Sequence, residues 1–165
     1  MALFAYHPDL VWLKAEEIIN RWHMLVPDAA GRGEKFLEEV ERQVKEAVIP
    51  KVATERKEVD ALPPGKNSKK LAPRIFLLIC GTDAPVGGHQ ILVGAHDYGK
   101  YLLLSRYVMS TVNLDFFDAF EREEVSAYLS LVHSTVVAAA KQFTNELNQD
   151  FSKLNSKSEG VIDIV

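Results

Sequence analysis

Three short apolar runs in the middle of the chain form its clearest pattern. They occupy residues 75–80, 91–93 and 101–104, and Gly, Pro or Asp bounds each one. Runs of this length are too short for ordinary helices and are typical of β-strands. They lack the alternation of apolar and polar positions expected when one face of a sheet contacts water. The pattern predicts a small antiparallel sheet of three to four strands that is covered on both faces.

The second and third runs are joined by a turn. Asp97, Tyr98 and Gly99 lie between them, and a glycine here suits a short loop that needs a left-handed residue. We therefore predict a hairpin at Asp97–Gly99, with arms near residues 90–96 and 101–109. Successive side chains of a strand point to opposite faces. One face of the last strand would therefore carry Tyr101, Leu103, Ser105 and Tyr107. The other face would carry Leu102, Leu104, Arg106 and Val108.

Helical spacing of apolar residues occurs before the sheet. Apolar residues recur at intervals of three and four in residues 9–25 and again in residues 34–49. Each segment would present one apolar face, which predicts two N-terminal helices. Pro50 would end the second helix, because proline lacks the amide hydrogen and disfavours a helical residue before it.

A longer helical pattern follows the sheet. An apolar stripe runs from Val125 to Leu147, and Asp118 with Glu121 has the spacing of a capping box. A helix reaching Asn148 would have roughly 30 residues and a length of about 45 Å. The sequence predicts that this long C-terminal helix packs across the sheet.

The remaining segments are less clear. Residues 51–59 fit either a charged edge strand or a continuation of the second helix, and residues 61–72 form a polar loop with three lysines. Residues 153–160 read as a linker, and the apolar tail 161–165 could add to the sheet as an edge strand or serve as a recognition peptide. The predicted fold class is α+β, with one domain over residues 1–152. A helical bundle decorated by one hairpin is the alternative.

Composition and charge fit an ordinary globular domain. Of the 165 residues, 47% are hydrophobic and 25% are charged, which argues against general disorder. The formal net charge of -4 gives no overall attraction to nucleic acid or anionic lipid. No apolar run approaches the ~20 residues of a membrane span, and the first residues lack a secretory pattern. With Cys80 as the one cysteine, we expect a soluble, cytoplasmic protein without disulfides.

No motif specific to catalysis, a metal or a cofactor is present. Residues 65–68, Gly-Lys-Asn-Ser, resemble part of a phosphate loop, but Asp60 stands where that pattern requires glycine. His89 and His96 are seven residues apart, so one regular strand would send them to opposite faces. Cys80 ends an apolar run, which is typical of a buried, unreactive thiol. We predict no catalytic residue, no metal site and no cofactor.

In the simplest case, helices of the same chain cover the second face of the sheet. Two hypotheses instead give this face a binding function. The first is a non-enzymatic domain that assembles as a homodimer, or with a protein partner, through apolar sheet and helix surfaces. The second is a small-ligand-binding protein or small enzyme with a cavity between the sheet and the long helix. Its ligand-binding residues would be His96, Tyr98, Tyr101 and Tyr107.

A weaker hypothesis is nucleic-acid binding. Its residues would be Lys66, Lys69, Lys70 and Arg74, with tyrosines of the hairpin nearby. Basic and aromatic side chains on strands can hold phosphates and stack on bases. The leucines among them and the acidic balance of the chain make nucleic acid the least favoured partner.

Overall fold

A computed structural model describes residues 10–61, 74–110 and 112–160, which form a seven-stranded sheet and two α-helices. The strands are β1 (Leu10–Leu13), β2 (Ile18–Val26), β3 (Val52–Ala61), β4 (Arg74–Gly81), β5 (His89–Tyr98), β6 (Tyr101–Ser110) and β7 (Ser156–Gly160). The helices are α1 (Gly33–Glu46) and α2 (Ala119–Glu146). Single 3-10 turns occupy Ala15–Glu17, Val86–Gly88, Leu114–Phe116 and Phe151–Lys153.

The sheet has the order β1-β3-β4-β5-β6-β2-β7. The pair β1–β3 is parallel, and the other five neighbouring pairs are antiparallel. The chain thus combines helices with an antiparallel sheet. However, the predicted architecture of two N-terminal helices and three to four strands is wrong, because only one helix precedes the hairpin and the sheet is twice as wide.

The segment predicted as the first helix forms two separate strands, β1 and β2. In β2, Trp22, Met24 and Val26 are buried while the residues between them are more exposed, which is the two-residue period of a strand. β2 pairs with β6 on one side and with β7 on the other. These two ladders of backbone hydrogen bonds override the helical spacing that part of the same segment also carries.

Strand β3 is internal to the sheet in spite of its charges. Residues 51–59 were predicted as an edge strand or a helix continuation, and the strand is the correct alternative. Its edge position is wrong, because β3 pairs with both β1 and β4. Arg56 forms salt bridges with Glu34 at 2.8 Å and Glu41 at 3.5 Å, both on α1. On the opposite face Lys57, only 6% exposed, pairs with Glu55 at 3.0 Å. Paired charges on both faces let a polar strand occupy this position.

The hairpin and the long helix have the expected local signals. Tyr98 and Tyr101 pair across a two-residue turn at Gly99 and Lys100, and Gly99 has φ +61°. Asp118 and Glu121 form the capping box at the start of α2, as predicted. In it the Asp118 side chain accepts from the Glu121 amide at 2.9 Å, and the Glu121 side chain accepts from the Asp118 amide.

Both helices cover the same face of the sheet. One core cluster joins buried residues of α1 and α2 to Leu77, Ile79, Ile91, Val93, Leu102, Leu104 and Val108 of the sheet. A smaller cluster lies on the opposite face, hereafter the outer face, and consists of Val59, Phe76, Leu78, Leu92 and Met109. Leu13 and Ile18 pack against this smaller cluster. These two residues, at the end of β1 and the start of β2, therefore shield part of the outer face from water.

The ends of the described chain complete the sheet. β7 lies within the segment predicted as a linker and pairs with β2, while the tail at 161–165 is outside the described residues. Neither helix of the described chain is both long and apolar enough to cross a bilayer.

Candidate functional site

A concave pocket lies on the outer face where β2, β6 and β7 meet. It has a volume of about 370 Å³. We call it the outer-face pocket, and its main lining residues are Arg21, His23, Leu25, Tyr98, Leu103, Ser105, Tyr107 and Glu159. Its volume is in the range of small-molecule sites.

A small residue, Ser105, forms the floor of the pocket. Gly94 and Ser105 are direct partners on β5 and β6, and Ser105 is only 8% exposed. A side chain at Gly94 would collide with the ring of Phe76, which occupies the space above that glycine. Tyr107 packs against Phe76 with ring centroids 6.3 Å apart. Tyr107 therefore separates the pocket from the outer-face cluster, to which Phe76 belongs.

The charged residues of the pocket come from β2 and β7. Arg21 is opposite Glu159, and His23 is opposite Lys157. Lys157 and Glu159 form a salt bridge. The hydrogen bond from Lys157 is the main cause that lowers the pKa of Glu159, and the charges of Lys157, Arg21 and His23 lower this pKa further. Glu159 is therefore ionised and already paired.

The structure brings together two of the four predicted ligand-binding residues. Tyr98 and Tyr107 line the outer-face pocket. His96 is exposed and lies outside the lining, and Tyr101 is 37% exposed with the Lys100 ammonium 6.0 Å from its ring centre. Tyr107 belongs to the face opposite α2, so the pocket does not lie between the sheet and the long helix, where the sequence analysis placed a cavity.

Only one of the four predicted nucleic-acid residues lies within the described part of the chain. Lys66, Lys69 and Lys70 are outside the described residues, and Arg74 is exposed at the start of β4.

A second concave surface flanks α2 beyond the end of α1. Phe36 and Phe143 have ring centroids 5.7 Å apart, so the start of α1 lies beside the end of α2. With 14 residues, α1 is half as long as α2, which has 28. The uncovered part of α2 borders a groove of about 240 Å³, which we call the α2 groove. It is lined by Ile49, Pro50, Lys51, Val86, Glu124, Ala127, Tyr128 and Leu131.

Three exposed apolar side chains belong to the segments that form the α2 groove. Phe120 is 81% exposed, Val48 is 80% exposed and Leu131 is 41% exposed. Positions 120, 124, 127 and 131 fall on one stripe of α2, because they repeat at three and four residues. Val48 has φ +49° and Lys51 has φ +56°. Positive φ is rare for a β-branched residue such as Val48, so the loop that forms this wall is strained.

A buried polar cluster lies between the sheet and α2. Arg106 is 1% exposed and donates to the side-chain oxygen of Asn20. Its Nε and Nη1 atoms reach no acceptor among the described residues. Burial lowers the pKa of Arg106 to about 10. His133 of α2 packs edge-on against Trp22 at 6.2 Å, and burial, followed by the charge of Arg106, lowers its pKa to about 4.

Three other ionisable groups are buried or half-buried, and two of them, Tyr128 and Cys80, lie close enough for the charge of Cys80 to act on Tyr128. Burial lowers the pKa of His89 and raises the pKa of Tyr128 and of the Cys80 thiol. No three His, Cys, Asp or Glu residues of the described chain are close enough to hold a metal ion. These groups do not form a catalytic constellation.

The sequence analysis gave no ligand-binding role to Arg21, Arg106 or His133. Arg106 did carry a signal, since it falls on the same strand face as Leu102, Leu104 and Val108. An arginine in an apolar pattern of this kind indicates a buried charge. Arg21 gave no signal, because it lies within residues 9–25, the segment predicted as the first helix, and is not one of its apolar residues.

Comparison with known proteins adds no relative: no protein-family model, no curated protein and no solved structure matches this chain.

Proposed function

We propose that this chain acts as a homodimer that assembles through the α2 groove. The observation that carries the proposal is that one stripe of α2 holds both a projecting aromatic ring, Phe120, and the wall of a groove able to receive such a ring. A surface with both features is self-complementary. A two-fold axis lets each copy supply the ring to the other, as isologous dimers require.

The spacing of the two features suits an antiparallel helix pair. The α2 residues of the groove are centred near position 127, roughly 11 Å along the helix from Phe120 at about 1.5 Å per residue. A two-fold axis near Glu124, halfway between them, would bring each Phe120 over the other copy's groove. A cavity of about 150 Å³ accepts benzene. At about 240 Å³, the groove has room for a phenyl ring.

The charges at the rim do not oppose this arrangement. Lys51 and Glu124 form a salt bridge at 3.5 Å beside the proposed axis. Each copy thus presents a neutralised pair, and the pairs of two copies can alternate in sign across the axis.

The apolar area predicts a concentration-dependent association and not a permanent dimer. Phe120 is 81% exposed and Leu131 is 41% exposed, so burying them in both copies gains less than four fully exposed side chains would, which is less than about 6–12 kcal/mol. This gain is of the same order as the cost of association. We therefore expect a dimer that dissociates on dilution.

Sedimentation velocity over about 1–100 μM tests the proposal. The expected result is a shift from 18.5 kDa towards twice that mass as the concentration rises. Phe120→Asp should remain monomeric, because a carboxylate would have to enter the apolar groove. Ile75→Asp is the matched control, since Ile75 is 48% exposed on β4, away from α2. A wild-type monomer at 100 μM, or equal effects of the two variants, contradicts the proposal.

Cross-linking tests the position of the axis. A residue close to a two-fold axis meets its own copy, so Glu124→Cys in a Cys80→Ser background should give a disulfide-linked dimer under mild oxidation. Glu146→Cys, at the exposed far end of α2, is the control and should stay largely monomeric. Equal cross-linking at both positions rules out an axis at Glu124.

A further inference from the structure

We propose that the outer-face pocket binds a small organic acid with a flat apolar body. The pocket is on the opposite face of the sheet from α2, so this inference is independent of dimer formation.

The apolar part of such a ligand would contact the sides of the pocket. Leu25 and Leu103 are direct partners on β2 and β6, and Leu25 keeps 39% of its surface exposed. The rings of Tyr98 and Tyr107 line the same space. Leucine and tyrosine side chains around a depression provide the apolar contact area typical of small-molecule sites. The small floor residue Ser105 leaves room for a ring to enter.

The acidic group would contact Arg21. The Arg21 guanidinium forms no side-chain hydrogen bond or salt bridge with any residue that the structure describes, although its charge acts on Glu159, the residue opposite it on β7. Glu159 is instead bound by Lys157. The net charge of the group formed by Arg21, Lys157 and Glu159 is one positive charge, which matches one carboxylate or sulfonate. The guanidinium can hold such a group through two parallel hydrogen bonds.

Two hydroxyl groups of the pocket would orient the ligand through hydrogen bonds. The hydroxyls of Ser105 and Tyr107 make no hydrogen bond within the described part of the chain, and both residues line the pocket. Ser105 is 8% exposed, so little of it is available to bulk water. A polar substituent on the ligand would satisfy one of these groups.

The first experiment uses 1-anilinonaphthalene-8-sulfonate, a fluorescent aromatic sulfonate, as the probe. The titration is done in the Phe120→Asp background, so that the α2 groove is altered and dimerisation does not contribute. Arg21→Glu should weaken probe binding at least about 10-fold, because the variant replaces a cationic donor by a carboxylate that repels the sulfonate. Arg32→Glu, an exposed charge reversal at the start of α1, should change binding less than about 2-fold. Equal effects of the two reversals would mean general electrostatics and would overturn the proposal.

The second experiment locates the probe and tests its charge. Amide chemical-shift changes on adding the sulfonate should fall on residues 21–25 and 103–107. Thioflavin T, a flat cationic dye, should bind at least about 10-fold more weakly than the sulfonate. Shift changes confined to residues 120–131, or tighter binding of the cation, would refute the assignment. Because both experiments use a monomeric background, their failure leaves the dimer proposal standing.

Discussion

Replacing Arg106 with methionine should make the protein more stable, although the arginine is buried and hydrogen-bonded. Burial lowers the pKa of Arg106 from 12.5 to about 10. At 1.36 kcal/mol per pKa unit, this corresponds to about 3 kcal/mol of unfavourable free energy for the charged form. The compensation is one hydrogen bond to Asn20, and a bond from a charged donor contributes about 1.5–3 kcal/mol. Methionine keeps an apolar stem of similar length, so we expect a net gain of about 1 kcal/mol.

Urea unfolding and thermal melting measure this effect. A gain of about 1 kcal/mol should raise the melting temperature by roughly 2–4 °C for a domain of this size. Arg106→Lys should be destabilised, because an ammonium is more strongly hydrated than a guanidinium. Arg21→Met, an exposed change on the neighbouring strand, should stay within about 0.5 kcal/mol of the wild type. A loss of 2 kcal/mol or more in Arg106→Met would refute the view that this guanidinium is under-compensated.

The same variant has a second, independent readout. The charge of Arg106 contributes to the low pKa of His133. Removing that charge should raise the pKa of His133 in an NMR titration, while burial keeps it below 6.5. An unchanged pKa would mean that the two side chains do not interact.

Three further predictions concern stability. The pKa of His133 falls from 6.5 in the unfolded chain to about 4, so its contribution to the unfolding free energy is present above pH 6.5 and is lost as pH falls towards 4. With partial exposure discounted, His133→Gln should remove about 1 kcal/mol of the difference in unfolding free energy between pH 7 and pH 5. An unchanged difference would argue against this role of His133. Val48→Gly should stabilise the protein by about 1 kcal/mol in urea unfolding, since Val48 is exposed and has positive φ; a loss would mean that its side chain packs. Asp118→Ala removes the cap of α2 and should cost about 1 kcal/mol, whereas Asp115→Ala nearby should cost less.

The central strands were predictable because the information they need is local. Residues 75–80 are apolar at successive positions, and the structure divides them between two cores. Leu77 and Ile79 contact the helices, while Phe76 and Leu78 belong to the outer-face cluster. Burial on both faces leaves an unbroken apolar run, and such a run is visible in the sequence without knowing what covers it.

Strand β2 was not predictable because its sequence carries two periods. Ile18, Trp22 and Leu25 fit the spacing of a helix, whereas Trp22, Met24 and Val26 fit that of a strand. The choice depends on the partners β6 and β7, which are distant in sequence. Local propensity contains no record of such pairing.

The candidate sites depend on the same non-local packing. Tyr98 and Tyr107 could be selected as hairpin residues, but Arg21 could join them only once β2 was known to be a strand. The α2 groove arises because α1 is half as long as α2 and leaves part of α2 uncovered. The wall of the groove at Ile49 and Pro50 was interpreted from the sequence only as the end of a helix. Distances between elements, rather than residue types, define both surfaces.

The position of β2 between two late strands has a consequence for how the polypeptide acquires its shape during synthesis. Ile18 finds its partner at Met109, and Asn20 reaches Gly160, so an early segment emerges from the ribosome long before either neighbour exists. Until then its backbone amides and carbonyls are satisfied by water alone, and contacts of such long sequence separation form slowly. This stretch is where a holding chaperone would be of most use to the nascent molecule.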